Sequence, residues 1–108
     1  MKPGEIYLVD LGLKAKVRPA IVVSREDADP PRMLTVFVPV TTENRGSRYE
    51  IALGSGRPFR VDSFANVQGL ASIEDVNIQR RLGQVSPDTL KAIRAALRWA
   101  LELEHPPA

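Results

Sequence analysis

The stretch Val17-Arg18-Pro19-Ala20-Ile21-Val22-Val23-Ser24 decides how the chain is read. One charged residue and a proline lead into an almost unbroken β-branched run. Valine and isoleucine are stiff at χ1 and suit a pleated strand. A run without polar alternation points to a strand covered on both faces. Proline has no N–H to give to a ladder, so Pro19 is expected at the first residue of that strand. Arg18 then stands at the strand mouth, its backbone kept extended by the following proline. A guanidinium there is well placed for an anion, although a surface arginine beside a turn has the same local sequence.

Toward the N-terminus, Glu5-Ile6-Tyr7-Leu8-Val9-Asp10 reads as a first strand, begun after Pro3-Gly4 and stopped near Leu11-Gly12. Toward the C-terminus, a polar loop from Arg25 to Arg32 closes on two prolines. Met33 to Val40 is a second buried-type strand and leads directly into Thr41-Thr42. Glu43 to Ser47 turns the chain. Arg48 to Leu53 then alternates, with Tyr49, Ile51 and Leu53 on one face. Gly54 to Arg60 is a flexible basic loop. Val61–Val67 and Leu70–Ile73 read as strand segments split by a bend at Gln68-Gly69. A helical turn is predicted over Asp75–Arg80 and a last short strand over Leu82–Val85.

One helix is predicted, beginning at Ser86-Pro87-Asp88. Serine caps free N–H groups, proline fits the first helical position, and aspartate complements the dipole. Leu90, Ile93, Leu97, Ala100 and Leu101 recur at helical spacing and form its buried stripe, with Trp99 beside it for lateral packing or, alternatively, a partner contact. Lys91, Arg94, Arg98 and Glu102 take the wet side. Short strands followed by one amphipathic helix make an α+β fold: a small antiparallel SH3-like β-barrel with a C-terminal helix.

At 108 residues the chain is read as a single domain spanning 1–108, with one modest core. An apolar share of 44% and a charged share of 26% place it among globular proteins. No apolar run is long enough for a bilayer, and no signal-type segment follows Met1, so no membrane is expected. The absence of cysteine excludes thiolate chemistry and fits a cytoplasmic setting. With one histidine, His105, a histidine-based metal site or triad is not expected; neither metal nor cofactor is. Net charge is only +2, so distribution matters more than total. Lys14, Lys16 and Arg18 cluster before the central strand, and Arg45, Arg48, Arg57 and Arg60 crowd the middle, groupings that attract phosphates.

Taken in order and spacing, several segments resemble the MazF/PemK family of toxin endoribonucleases from bacterial toxin–antitoxin pairs. They are Gly4 to Leu11, Val17 to Ser24, Val38-Pro39-Val40-Thr41-Thr42, Asp62-Ser63, Val67-Gln68 and Arg81 to Pro87. The resemblance covers nearly the whole length and implies a CcdB/PemK-like barrel. It implies a homodimer that cleaves single-stranded RNA, without a metal, by attack of the RNA's own 2′-OH. It also implies a cognate antitoxin, with DNA contacted only indirectly through that antitoxin. The family's catalytic arginine and hydroxyl fall on Arg18 and Thr41. Around them, Lys14, Lys16, Thr42, Arg45, Arg57, Arg60 and Gln68 are candidate RNA contacts.

The residue types suit that chemistry. A phosphorus under attack becomes five-coordinate and gains negative charge on its non-bridging oxygens. A planar guanidinium donates two parallel hydrogen bonds to them and gains strength as the charge develops. Because a guanidinium keeps its proton through the physiological range, Arg18 is expected chiefly as an electrostatic stabiliser. Thr41 is expected to bind the same phosphate or to orient the 2′-OH, with Thr42 as a spare. Three departures from the family pattern stand out, one being that the wet helix face and the loop Gly54 to Arg60 carry no family signature for sequence preference. The first connection, Gly12-Leu13-Lys14-Ala15-Lys16, lacks the acid found in many relatives, and Asn66-Val67-Gln68-Gly69-Leu70 replaces the commoner Asp-Gln-Ile. Gln68 suits either a base edge or a strand backbone. A non-catalytic toxin of the same fold, acting on DNA gyrase by protein contact, is the alternative reading.

Overall fold

The Ala20–Val22 run is covered on both sides, as its composition requires: Ala20, Ile21 and Val22 are all fully buried. The computed structural model describes residues 1–12 and 17–103; Lys14 and Lys16 lie outside the described residues. Seven strands are described: β1 (Glu5–Asp10), β2 (Val17–Val22), β3 (Leu34–Thr41), β4 (Glu50–Gly54), β5 (Ser63–Asn66), β6 (Ala71–Glu74) and β7 (Ile78–Gln84). One helix follows, α1 (Pro87–Ala100). The strands pair antiparallel in the order β4-β5-β3-β2-β1-β7, with β6 also on β3. Among the described residues β4 and β7 end this path, so the expected barrel is barrel-like without closing.

Successive side chains of a strand alternate between faces, and the run divides accordingly. Ile21 joins Ile6, Val38, Val40, Ala65, Val67, Ile93 and Ala96 in the core beneath the helix. Ala20 and Val22 join Val9, Phe37 and Ile73 on the other face. Tyr49, Ile51 and Leu53 pack together against the helix-side core, as their alternation predicts.

β3 organises the sheet. Its first half pairs with β6, from Leu34↔Glu74 to Phe37↔Ala71, and its last two residues pair with β5 through Val40↔Ala65 and Thr41↔Phe64. The chain crosses from β5 to β6 through a 3-10 turn, Val67–Gly69, where the sequence suggests a bend. Asn66 caps this turn by accepting the Gln68 N–H at 3.1 Å. Gly69 is needed there: a Cβ would lie 2.6 Å from Pro39 Cγ.

Several boundaries differ from the sequence reading. β2 starts at Val17, so Pro19 is its third residue. The missing N–H is tolerated because pairing with β3 begins only at Ala20↔Pro39, leaving β1 as the sole neighbour of Pro19. The helical turn near Asp75 is only three residues, Asp75–Asn77, and the last strand is longer, reaching back to Ile78 along β1. At the far end α1 stops at Ala100. Leu103 N–H donates to Arg98 C=O at 2.8 Å and Glu102 N–H to Trp99 C=O at 3.2 Å, a Schellman closure with Glu102 at φ 54°. Leu101 therefore falls beyond the stripe and is 50% exposed. The helix N-terminus is as expected, with the Ser86 hydroxyl accepting the Thr89 N–H at 3.1 Å. No helix among the described residues is long and apolar enough to cross a membrane.

Candidate active site

The register of β2 on β3 brings the two residues singled out for chemistry together. Paired residues are Val22↔Phe37, Ile21↔Val38 and Ala20↔Pro39. Two positions beyond the last of these pairs stand Arg18 and Thr41, by strand alternation on the side of the sheet that Ala20 and Phe37 share. The ladder itself stops at Ala20↔Pro39, since the end of β3 turns to β5 and the start of β2 stays with β1. Where the strands part, a cavity of about 290 Å³ opens. Arg18, Thr41, Thr42, Arg60 and Ser63 bring its polar groups, and Pro19, Val40, Pro58, Phe59 and Val61 its apolar wall. Two guanidiniums and three hydroxyls around one hollow suit an anionic ligand with an apolar portion.

The hydrogen bonds within it decide which groups are free. Arg18 is exposed and, among the described residues, makes no ion pair. Thr41 Oγ1 accepts the Glu43 N–H at 3.1 Å, which leaves its O–H for a ligand. Ser63 is buried and its hydroxyl donates to the Val61 carbonyl at 2.9 Å, so its proton is committed.

Thr41 also lines a second hollow of about 280 Å³, with Glu43, Arg45, Ser47, Tyr49, Glu50, Asn66 and Gln68. The strand end that carries the hydroxyl thus separates two adjacent sites. Both Arg45 and Gln68 belong to the second. In it, Ser47 N–H first, then the Ser47 hydroxyl and the Arg45 N–H, hold the Glu50 carboxyl below the usual carboxylate range. Glu43 lies 2.9 Å from the Arg45 guanidinium and raises its affinity for its proton.

The basic residues that crowd the middle of the sequence are separated by the fold. Arg60 reaches the Arg18 cavity and Arg45 the neighbouring one. Arg48 lies over the Trp99 ring at 4.2 Å from its centroid, and Trp99 also meets Tyr49 at 4.9 Å. Arg57 lines a third hollow with Leu53, Phe59, Gln84 and Thr89, where only Phe59 is shared with the Arg18 cavity. Of the candidate contacts, then, Arg18, Thr41, Thr42 and Arg60 converge; Arg45 and Gln68 adjoin them through Thr41; Arg57 does not. Sequence reasoning missed Glu50, Asn66 and Phe59. Asn66 had a visible signal, an Asx residue before a tight turn, whereas Glu50 shows its role only once the preceding loop folds back. Among the described residues no three His, Cys, Asp or Glu side chains gather closely enough to hold a metal ion.

Over 103 residues the chain is 30% identical to the endoribonuclease MazF1 of Mycobacterium bovis, covering 95% of this chain and 94% of the relative. The endoribonuclease MazF4 of Mycobacterium tuberculosis matches to the same extent. Among solved structures, the Mycobacterium tuberculosis toxin MazF-mt6 shares the fold with a TM-score of 0.82 at 22% identity, covering 94% of this chain and 99% of that one. An endoribonuclease in complex with its cognate antitoxin, from a mycobacterial species, gives 0.82 at 26% identity, covering 98% and 99%. A profile described as "PemK-like, MazF-like toxin of type II toxin-antitoxin system" matches residues 2–101. The chain belongs to this PemK-like, MazF-like toxin family.

Proposed function

We propose that the protein is the toxin of a toxin–antitoxin pair and an endoribonuclease that cleaves single-stranded RNA without a metal. The observation that carries this reading is the convergence of Arg18 and the free hydroxyl of Thr41 at one cavity, in a chain whose relatives are named endoribonucleases. A phosphodiester seated there meets the Arg18 guanidinium with its non-bridging oxygens. The neighbouring 2′-OH gives up its proton to solvent as it attacks phosphorus, the bond to the 5′-oxygen of the next nucleotide breaks, that oxygen takes a proton from solvent, and a cyclic phosphate and a 5′-OH end remain. As charge grows on the non-bridging oxygens, the two parallel N–H donors of Arg18 stabilise it more than they stabilise the starting phosphate, which lowers the barrier. Thr41 donates its O–H to the same phosphate or holds the 2′-OH in line. Dependence on the 2′-OH confines the reaction to RNA. Arg60 adds charge to the same hollow, and its apolar wall suits the face of a base.

Thr41→Ala removes the donor and also releases the Glu43 amide, and it is expected to lower kcat about 100-fold, whereas Thr41→Ser stays within about tenfold of wild type. Single-turnover cleavage of an RNA oligonucleotide in excess chelator measures both. Intact folding with RNA bound but uncut by the wild type would overturn the ribonuclease reading and leave the gyrase-directed toxin, for which a supercoiling assay is the direct test.

The cognate antitoxin is expected to lay a partly acidic, flexible segment over the two adjoining hollows, because such segments fold on binding and neutralise charge. The active form is expected to be a homodimer. The single chain leaves Met33 65% and Val76 86% exposed on adjoining segments, apolar surface that a second copy can cover. Light scattering after size exclusion checks this, and a monomer at micromolar concentration contradicts it.

A further inference from the structure

We propose that Glu50 is a positioning residue for RNA: its carboxylate folds the segment 43–47 back beside Thr41 and thereby fixes Arg45 at the second hollow. This rests on the ribonuclease reading above.

Between β3 and β4 the chain has no regular structure, so its backbone donors need other partners. They converge on one side chain. Glu50 Oε1 accepts the Arg45 N–H, the Ser47 N–H and the Ser47 O–H, each at 3.1 Å, and Oε2 accepts the Arg45 N–H at 3.2 Å. The rest of the loop is closed locally. Asn44 Oδ1 accepts the Gly46 N–H at 2.9 Å, with Gly46 at φ 67°, and Ser47 Oγ accepts the Tyr49 N–H at 3.3 Å. At the loop's start, Thr41 Oγ1 accepts the Glu43 N–H. The proposed catalytic hydroxyl and the Glu50 carboxylate thus anchor the two ends of one loop.

Relative strengths show which contact matters. The Arg45–Glu43 ion pair joins side chains that are 78% and 69% exposed, and such pairs contribute little. Hydrogen bonds from N–H and O–H groups to a carboxylate are charge-assisted, about twice as strong as neutral ones. Glu50 gathers three donors from two residues where the ion pair joins one, so it takes the larger part in ordering the loop, although both lie at the surface. The same bonds argue against a role as general base in place of the acid missing from the first connection. The lone pairs of Oε1 are engaged, and the bonds that favour the charged form make the carboxylate a weak proton acceptor. What the carboxylate sets is where a cation stands: Arg45, beside Thr41, Asn66 and Gln68. An Arg45 on a loosened loop carries the same charge at a lower local concentration, and the loss appears in binding.

The test is steady-state cleavage of a single-stranded RNA by wild type, Glu50→Gln, Arg45→Ala and the double variant, each checked by thermal melting. Glu50→Gln is expected to raise KM about tenfold with kcat within about twofold, the effect of losing one charge-assisted contact. In the double variant the effect is expected to be no larger than that of Arg45→Ala alone, because Glu50 acts through Arg45. Hydrogen exchange gives a reading independent of catalysis: the Arg45 and Ser47 amides exchange faster in Glu50→Gln while those of α1 are unchanged. The proposal is overturned by a wild-type KM in Glu50→Gln, by effects that add in full, or by a fall in kcat with KM unmoved. If the wild type cuts no RNA, the ribonuclease reading fails instead, and amide exchange alone then shows whether Glu50 orders the loop.

Discussion

Arg18→Ala is expected to reduce RNA cleavage about a thousandfold while leaving the fold intact. The size follows from the role. Removing one preorganised donor aimed at a developing oxyanion costs about 10²–10³ in kcat, and a guanidinium supplies two donors together with a full charge. The fold is spared because Arg18 is exposed and, among the described residues, its side chain makes no ion pair. Surface substitutions of this kind usually stay within about 0.5 kcal/mol. The loss should fall on kcat more than on KM. On the proposed reading Arg60, which lines the same cavity, is left to attract the RNA backbone, and the interaction with Arg18 strengthens only as charge develops. Arg18→Lys separates charge from geometry: it keeps the cation and loses the planar fork, so it should recover only part of the activity. Single-turnover cleavage in excess chelator, with binding followed separately by fluorescence anisotropy, gives both quantities. Full activity in Arg18→Ala would remove the arginine from the reaction. Equal losses in binding and cleavage would make it a docking residue.

Why the site was partly legible beforehand is a question of which interactions are local. The β2 run could be read because burial on both faces is written in consecutive residues, and the structure covers Ala20, Ile21 and Val22 fully. The helix start could be read because Ser86, Pro87 and Asp88 act within one turn. Its end could not: periodicity continues through Leu101, but the chain leaves the helix one residue earlier in a left-handed closure on a glutamate. The meeting of Arg18 with Thr41 was inferred from the family pattern, and it is a consequence of register. Residues 23 positions apart line one cavity because β2 and β3 pair as far as Ala20↔Pro39 and part just beyond it. Arg57 illustrates the converse. It is three residues from Arg60 in sequence, yet the intervening Pro58-Phe59 wall directs the two guanidiniums to different hollows. A count of basic residues therefore groups side chains that the fold separates, whereas one strand pairing brings Arg18 and Thr41 to a common cavity. Glu50 belongs to the same class, since its partners come from a loop whose path no short motif specifies.

Phe37→Ala is expected to lower stability by about 3–5 kcal/mol, the usual range for deleting a buried phenyl ring. A domain of this size has only about 5–15 kcal/mol in total, so urea denaturation should show a large part of the stability gone. The midpoint of thermal unfolding should fall by about 15 °C or more. Phe37 is 1% exposed and belongs to the smaller core, with Val9, Ala20, Val22 and Ile73, and Tyr7 meets it edge-on at a centroid distance of 6.5 Å. Its backbone lies between two ladders, opposite Val22 of β2 on one side and Ala71 of β6 on the other. Strands held on both sides cannot close over the space a ring leaves, so the cavity term should be paid nearly in full. A loss below about 1 kcal/mol would mean that this face of the sheet collapses freely, and that the smaller core is not a structural unit. The same substitution separates folding from chemistry. Phe37 stands four positions before Thr41 on the same face of β3, but the cavity there is walled by Pro19, Val40 and Phe59 from the other core's side of the sheet and from the β4–β5 loop. At low temperature, where most molecules remain folded, cleavage per folded molecule should therefore match wild type. Activity lost beyond the unfolded fraction would show instead that the smaller core sets the height at which β3 presents its hydroxyl.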